Sequence, residues 1–148
     1  MKSGIVIAIL VLAAALFGGM FTPGEWHASL DKPSWNPPNW VFGPVWTILY
    51  VMIAVAGWLA WRNRARSTLP VRLWGGQLLL NALWSWLFFG LKQPGFAFLE
   101  IVILWLLIAA FVVVSWRISR AASLLFVPYA LWVGFASALN FAIWRLNP

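Results

Sequence analysis

Five long apolar segments occupy most of this chain and constrain its fold more than any other feature. They cover residues 4–21, 44–61, 71–91, 95–116 and 122–144. Each is close to the ~20 residues that an α-helix needs to cross ~30 Å of hydrocarbon. The connections between them are too short to hold a second folded unit. The sequence therefore predicts an all-α membrane protein, in which residues 1–148 form a single domain built as a bundle of five transmembrane helices.

The composition excludes several classes of function. Of the 148 residues, 64% are hydrophobic and only 9% are charged, whereas a soluble domain is roughly half apolar and about a quarter charged. A net charge of +7 would suggest nucleic acid in a soluble protein, but here the cations flank apolar segments, where topology determinants lie. The absence of cysteine excludes disulfides and thiolate metal sites. We therefore expect neither a nucleic-acid partner nor a metal site.

The basic residues are distributed unevenly between the two sides of the predicted bundle. An odd number of spans places the two termini on opposite sides of the membrane. The side that holds the N-terminus also holds most of the cations: Lys2, Arg62, Arg64, Arg66, Arg72, Arg117 and Arg120. The other side carries only Lys32, Lys92 and Arg145. The positive-inside rule then predicts a cytoplasmic N-terminus and an outward first loop, in what we expect to be a bacterial cell membrane.

The first apolar segment has a second interpretation. Lys2 followed by an apolar run that ends in small residues also resembles a secretory signal peptide. The run is longer than the usual apolar core of such a peptide, and no clean cleavage site precedes Thr22. These features favour a retained helix.

Residues 22–43 form the only long connection, and we call them loop one. Four prolines fix the backbone there: Pro23, Pro33, Pro37 and Pro38. They predict a stiff segment with at most a short helical turn across residues 25–30. Three tryptophans fall within residues 35–46, where the loop meets the second apolar segment. The sequence therefore predicts a Pro/Trp-rich lid against the mouth of the bundle.

Polar and aromatic residues recur at helical spacing on three of the apolar segments. These stripes are Gln77, Asn81 and Ser85 on the third segment, Trp132, Ala136 and Asn140 on the last, and Trp46 and Tyr50 on the second. Amides are not stable against lipid, so they form interhelical hydrogen bonds or contact a ligand. The spacing favours the interhelical role for Gln77 and leaves both open for Asn81. Together the stripes predict a cavity beneath loop one.

Two other patterns concern packing. Tryptophans near the segment ends are expected to anchor the bundle at the membrane interface: Trp58, Trp61, Trp74, Trp116 and Trp144. Small residues four apart allow close helix contact within the bundle or between protomers: Ala14/Gly18, Ala15/Gly19, Ala56/Ala60 and Ala130/Gly134/Ala138.

Two ionisable side chains require separate interpretation. Glu100 is an intramembrane carboxylate and hence a functional candidate, although an ion pair with Arg145 or Lys92, or a protonated form, explains it equally well. His27 is the only histidine; it titrates near neutral pH, but without a second ligand it is a weak candidate for holding haem iron. No nucleophile–base set, paired carboxylates or phosphate-binding glycine loop is present. Ordinary acid/base catalysis is therefore not expected.

Five motifs cover practically the whole chain in order. They are Trp26-x5-Lys32-Pro33-Ser34-Trp35-Asn36-Pro37-Pro38, Trp46-Thr47-x2-Tyr50, Asn81-Ala82-x-Trp84-Ser85, Val127-Pro128-Tyr129-x2-Trp132 and Leu139-Asn140-Phe141-x2-Trp144-Arg145-Leu146-Asn147. In this order they resemble the TspO/MBR family of translocator or tryptophan-rich sensory proteins, formerly called peripheral-type benzodiazepine receptors. The Lys-Pro-x-Trp-x-Pro-Pro block is the most specific part of the resemblance.

The resemblance implies a five-helix bundle, often a homodimer, that binds porphyrins, sterol-like molecules or benzodiazepine-type drugs beneath loop one. It implies no required cofactor, with porphyrin or haem as a ligand. The family's binding residues fall on Trp46, Tyr50, Asn81, Trp84, Ser85, Trp132 and Ala136, with Trp26 and His27 in the lid. Trp35 in loop one and Asn140 on the last stripe complete the predicted ligand-binding set. The two indoles that the family links with light-dependent porphyrin breakdown fall on Trp46 and Trp132.

The chain departs from the family pattern at two positions. His27 stands where many relatives have tyrosine, so a phenolic contact is lost and sensitivity to pH is gained. Phe141 stands where the sterol motif before Arg145 expects tyrosine, which leaves that motif incomplete. Three functions are compatible with these features: a receptor, sensor or transporter for amphipathic planar ligands, a light-dependent porphyrin-degrading enzyme, and a structural membrane protein with only interfacial tryptophans.

Overall fold

The computed structural model describes residues 1–148 and contains helices but no strands. The helices are α1 (Lys2–Gly19), α2 (Glu25–Ser29), α3 (Asn39–Arg62), α4 (Leu69–Ser85), α5 (Pro94–Ser115) and α6 (Arg120–Leu146). A π-helical turn, Trp86–Gly90, follows α4 directly. The short helix α2 confirms the predicted turn in loop one.

Four of these helices, α1, α3, α5 and α6, are long and apolar enough to cross a membrane. Their outer faces expose large aliphatic side chains such as Val113 and Leu131, which are 74% and 71% exposed. The predicted segment 71–91 is also helical, but it is divided into the 17 residues of α4 and the five of the π turn. Polar residues such as Arg72 and Gln77 make it less apolar than the other four. Of the five predicted spans, length and composition confirm four.

The second predicted segment begins earlier than expected. Residues 44–61 were predicted from the apolar run, whereas α3 starts at Asn39, directly after Pro38. Pro44 lies inside α3, and its missing N–H withdraws a hydrogen bond only from the Trp40 carbonyl near the helix start. The apolar run therefore marks the start of the helix too late, because α3 continues through Pro44 back to Asn39.

The five long helices close into a ring. α1 packs against α3 and α4, α3 packs against α6, α6 against α5, and α5 against α4. One close approach in this ring depends on Gly57, because a Cβ atom there would overlap the Trp74 ring. The Trp74 indole is 5% exposed and donates a hydrogen bond to the Ile53 carbonyl at 2.8 Å. The expectation that Trp74 anchors the membrane interface was therefore wrong, since its N–H has a partner inside the bundle.

The small residues of α6 also serve contacts within the bundle. The Trp105 indole of α5 donates to the Ala130 carbonyl at 3.0 Å. A Cβ atom at Gly134 would approach the same indole to 3.4 Å. A large side chain at Gly134 would displace Trp105, so this member of the stripe accommodates α5.

Candidate ligand-binding cavity

A cavity of about 590 Å³ opens at the end of the bundle where α1, α4 and α6 finish and α3 and α5 begin. Its volume falls in the range of small-molecule sites, roughly 300–1,000 Å³. Nine predicted ligand-binding residues line it: His27, Trp46, Tyr50, Asn81, Trp84, Ser85, Trp132, Ala136 and Asn140. The three sequence stripes therefore meet at one site, except that Gln77 lies behind its wall.

Aromatic pairs form much of the wall. Trp46 lies 5.5 Å from Tyr50 between ring centroids, one helical turn further along α3. On the α6 side, Trp132 is held edge-to-face by Phe42 at 5.8 Å. Trp46 and Trp132 thus present indoles to the same cavity from two neighbouring helices. Indole and phenyl faces of this kind suit a flat apolar ligand.

A chain of hydrogen bonds fixes the polar part of the wall. The Tyr50 hydroxyl donates to Asn81 Oδ1 at 3.1 Å, and Asn81 Nδ2 donates to the Tyr129 hydroxyl at 2.6 Å. The Tyr129 hydroxyl then donates to Gln77 Oε1 at 2.8 Å. This chain joins α3, α4 and α6. Gln77 therefore has the interhelical role that its position predicted, whereas Asn81 both joins helices and faces the cavity.

Asn140 has a second structural role at the cavity. Its Oδ1 accepts a hydrogen bond from the Trp84 indole at 3.0 Å, and its Nδ2 donates to the Pro94 carbonyl at 2.8 Å. The residue is only 1% exposed. We predicted that Asn140 offers hydrogen bonds to a ligand, but both polar atoms already have protein partners. Its effect is to orient Trp84, which also stacks on Phe88 at 5.0 Å.

The indole nitrogen of Trp132, unlike that of Trp84, has no hydrogen-bond partner. The Trp132 Nε1 atom is also buried. A buried donor without a partner costs about 1–3 kcal/mol, and buried indole N–H groups usually find an acceptor. Trp132 lines the cavity with its ring, but its Nε1 atom has no accessible surface there, so a bound molecule would reach this donor only after the side chain moves.

Glu100 lies on the buried face of α5, and neither of its carboxylate oxygens has a hydrogen-bond partner. Of the interpretations that the sequence left open for Glu100, the ion pair with Lys92 or Arg145 is therefore not formed. Its neighbour Ile101 lines the cavity, whereas Glu100 does not.

Loop one reaches the cavity through His27 of α2. The imidazole packs edge-to-face against Phe88 and Phe89, with ring centroids 6.2 and 5.4 Å away. Burial, with a smaller effect from the Lys32 charge, lowers the pKa of His27 below its ordinary value of 6.5. The side chain that closes this part of the cavity is therefore neutral at neutral pH.

Two predicted ligand-binding residues of loop one do not line the cavity. Trp26 packs behind the wall, edge-to-face on Phe88 with ring centroids 5.8 Å apart. Trp35 lies against Phe135 at 5.6 Å, and Phe135 in turn contacts Trp132 at the same centroid distance. The resemblance implies a lid role for Trp26, and the tryptophan-rich loop suggests the same for Trp35. Helix α2 and the prolines turn these two indoles onto other aromatic rings instead.

Sequence reasoning missed three residues that shape the site. Tyr129 lies at the centre of the hydrogen-bond chain. Its position one helical turn before Trp132 and Val133 could have indicated this role, because it extends the α6 stripe at helical spacing. Phe88 lies three residues after Ser85, but the π-helical turn determines where its ring points. That turn is closed by a bond from Leu91 N–H to the Trp86 carbonyl at 2.7 Å, which no local pattern predicts. Phe42 was assigned to loop one, yet α3 already includes it.

Four helices that are long and apolar enough to cross a membrane, with large aliphatic side chains on their outer faces, define a multi-pass integral membrane protein. The family model described as the TspO/MBR family matches residues 6–145. The tryptophan-rich protein TspO of Chlorobaculum tepidum is 44% identical over 149 residues, which covers 94% of this chain and 92% of the relative. Protein CrtK of Rhodobacter capsulatus is 40% identical over 147 residues, covering 97% and 91%.

The similarity extends to animals. The translocator protein of Homo sapiens is 38% identical over 137 residues, which covers 88% of this chain and 81% of the relative. The chain belongs to the TspO/MBR family, as its five motifs predicted.

Proposed function

We propose that the protein binds tetrapyrroles or related amphipathic planar molecules in this cavity and acts as a receptor, sensor or transporter for them. The observation that carries the proposal is that two indoles, Trp46 and Trp132, line one cavity of small-molecule size. A flat ring gains stacking contacts with the indoles.

Basic side chains at the cavity end of the bundle suit a ligand with carboxylates. Lys32, Lys92 and Arg145 lie at this end, although none of them lines the cavity, and a cation forms strong charge-assisted hydrogen bonds with a carboxylate. Porphyrins combine a planar macrocycle with propionate groups, so they match both features. We propose no resident cofactor: porphyrin or haem is the ligand.

The membrane arrangement completes the proposal. α4 and the π turn together rise roughly 30 Å at ~1.5 Å per residue, which is enough for a fifth span. Loop one then forms a lid on the outer side of a bacterial cell membrane, because the seven cations at the opposite end favour the cytoplasm. The protein functions as a homodimer in this proposal.

Titration of the purified protein with protoporphyrin, followed by indole fluorescence quenching, tests the site. Trp132→Ala should weaken binding by about 1–3 kcal/mol, by analogy with base–aromatic stacking losses. Trp132→Phe should recover part of that loss, because it restores a stacking face without the N–H. Trp61→Ala is the control, since Trp61 is 37% exposed near the other end of the bundle. Equal losses in the Trp132 and Trp61 variants would refute a local site, and no saturable binding by wild type would favour a purely structural protein.

A light-dependent porphyrin-degrading activity is the second candidate function, and the positions of Trp46 and Trp132 at one cavity favour it. An indole is readily oxidised, whereas phenylalanine keeps a stacking face and is not. Trp46→Phe should therefore retain most of the binding and lose any porphyrin consumption in light that exceeds a free-tryptophan control. If wild type forms no product above that control, binding without degradation is the function.

A further inference from the structure

The end of the bundle opposite the cavity carries an uncompensated basic surface. Every cation predicted for that side is exposed, and none of the three acidic residues, Glu25, Asp31 and Glu100, lies there. The Arg66 guanidinium donates to the Ile118 carbonyl at 2.9 Å and to the Arg117 carbonyl at 3.2 Å. These bonds hold the α3–α4 and α5–α6 connections side by side, so the basic residues of the two connections lie on one surface.

Three arginines of this surface lie over indole rings. Arg62 and Arg64 lie over Trp58 and Trp61, with centroid distances of 4.8 and 4.2 Å, and Arg120 lies over Trp116 at 4.9 Å. A separate groove of about 440 Å³ is lined by Trp116, Arg117, Ile118 and Arg120. This groove therefore presents two guanidinium groups within a space open to a ligand and without a neighbouring carboxylate.

Two exposed apolar stripes lead from this groove along the bundle. On α5, Val113 lies four residues before Arg117 and is 74% exposed, and Leu106 continues the same face one heptad earlier. On α6, Leu124 lies four residues after Arg120, and Leu131 continues that face. α5 and α6 pack side by side. A molecule held by the arginines therefore has an apolar path about 10 Å long beneath it, at ~1.5 Å rise per residue.

We propose that this groove is a headgroup site for an anionic phospholipid. The phosphate pairs with Arg117 and Arg120 through charge-assisted hydrogen bonds, and the acyl chains lie along the stripes of α5 and α6. The apolar stripes distinguish a lipid from a free phosphate, which gains nothing from them. The missing carboxylates favour a net anionic headgroup over a zwitterionic one, because each arginine near an anionic lipid surface strengthens attraction by roughly fivefold.

Native mass spectrometry of the purified full chain in detergent tests this site, with phosphatidylglycerol and phosphatidylcholine of the same chain length as probes. Wild type should bind phosphatidylglycerol at least about tenfold more tightly. Arg117→Gln/Arg120→Gln should lose that preference, and Arg117→Lys/Arg120→Lys should keep most of it. Arg62→Gln/Arg64→Gln removes the same charge from the same end and should leave the preference within about twofold. Thermal unfolding of each variant reports whether it is folded.

Three results would overturn the proposal. An equal loss in both glutamine pairs would mean general attraction to a basic surface. Equal affinity of wild type for the two lipids would mean that the groove does not discriminate between headgroups by their charge. Full displacement of phosphatidylglycerol by millimolar glycerol phosphate would mean an anion site that makes no use of the apolar stripes.

Discussion

The side-chain amide of Asn147 forms two hydrogen bonds with the backbone of Asp31, which lies 116 residues earlier in the chain. Asn147 Oδ1 accepts from the Asp31 N–H at 3.0 Å, and Nδ2 donates to the Asp31 carbonyl at 2.8 Å. The same nitrogen also donates to the Ile143 carbonyl within α6 at 2.8 Å. The pair therefore joins the middle of loop one to the end of α6, close to the segment that places His27 at the cavity.

Replacement of Asn147 by alanine should loosen loop one. Net contributions of about 0.5–1.5 kcal/mol per hydrogen bond predict faster amide hydrogen exchange across residues 22–38 and faster porphyrin release. Asn63→Ala is a matched control, because Asn63 makes the same bond to a carbonyl four residues back, Leu59, at 2.8 Å, but at the other end of the bundle. Unchanged exchange in the Asn147 variant would show that other contacts hold the loop.

Gly57→Ala should destabilise the bundle by about 1–3 kcal/mol, as overpacking of a close contact does. The added Cβ would overlap the Trp74 ring, and that indole is held in place by its bond to Ile53. Gly75→Ala is the control, because a Cβ there meets no atom within 4 Å. Thermal unfolding in detergent should show a lower midpoint for the first variant only; similar midpoints would mean that α3 and α4 separate easily.

Closure of loop one should weaken in mild acid. The closed loop lowers the pKa of His27 below 6.5 through burial and the Lys32 charge, so the closed state disfavours protonation. Its stability should be constant above about pH 6.5, fall as the pH drops below that value, and level off beneath the lowered pKa. The protection factors of residues 22–38, which are corrected for the slower intrinsic exchange at lower pH, should therefore decrease from about pH 7.5 to about pH 5.5 in wild type. His27→Phe, which cannot titrate, should show no such decrease; an equal decrease would assign the effect to another group.

Single cysteines test the membrane orientation in this cysteine-free chain. Ser29 in loop one and Ala65 between α3 and α4 are both exposed. In intact cells, Ser29→Cys should react with an impermeant thiol reagent and Ala65→Cys should not. The reverse pattern would place loop one in the cytoplasm.

The sequence predicts the helices because their apolar runs are long, and it predicts the cavity because polar and aromatic residues repeat at helical spacing. Asn81, Tyr50 and Trp132 lie at the site for that reason. Trp26 and Trp35 do not, because loop contacts depend on how short elements such as α2 pack on residues distant in sequence. The bond from Asn147 to Asp31 and the π-helical turn before Leu91 are likewise products of packing rather than of local pattern.

Trp74 illustrates the same limit inside a helix. Its position near a segment end is typical of an interfacial anchor, yet it lies in the core because Gly57 leaves space for its ring on the facing helix. A pair of this kind becomes visible only when the helix order of the ring is known.

A density map of the purified protein with bound protoporphyrin is the most direct test of the proposed binding site. The macrocycle should lie in the cavity, in van der Waals contact with the rings of both Trp46 and Trp132. Porphyrin density on the lipid-facing surface of the bundle, with none in the cavity at saturating ligand, would contradict the proposal.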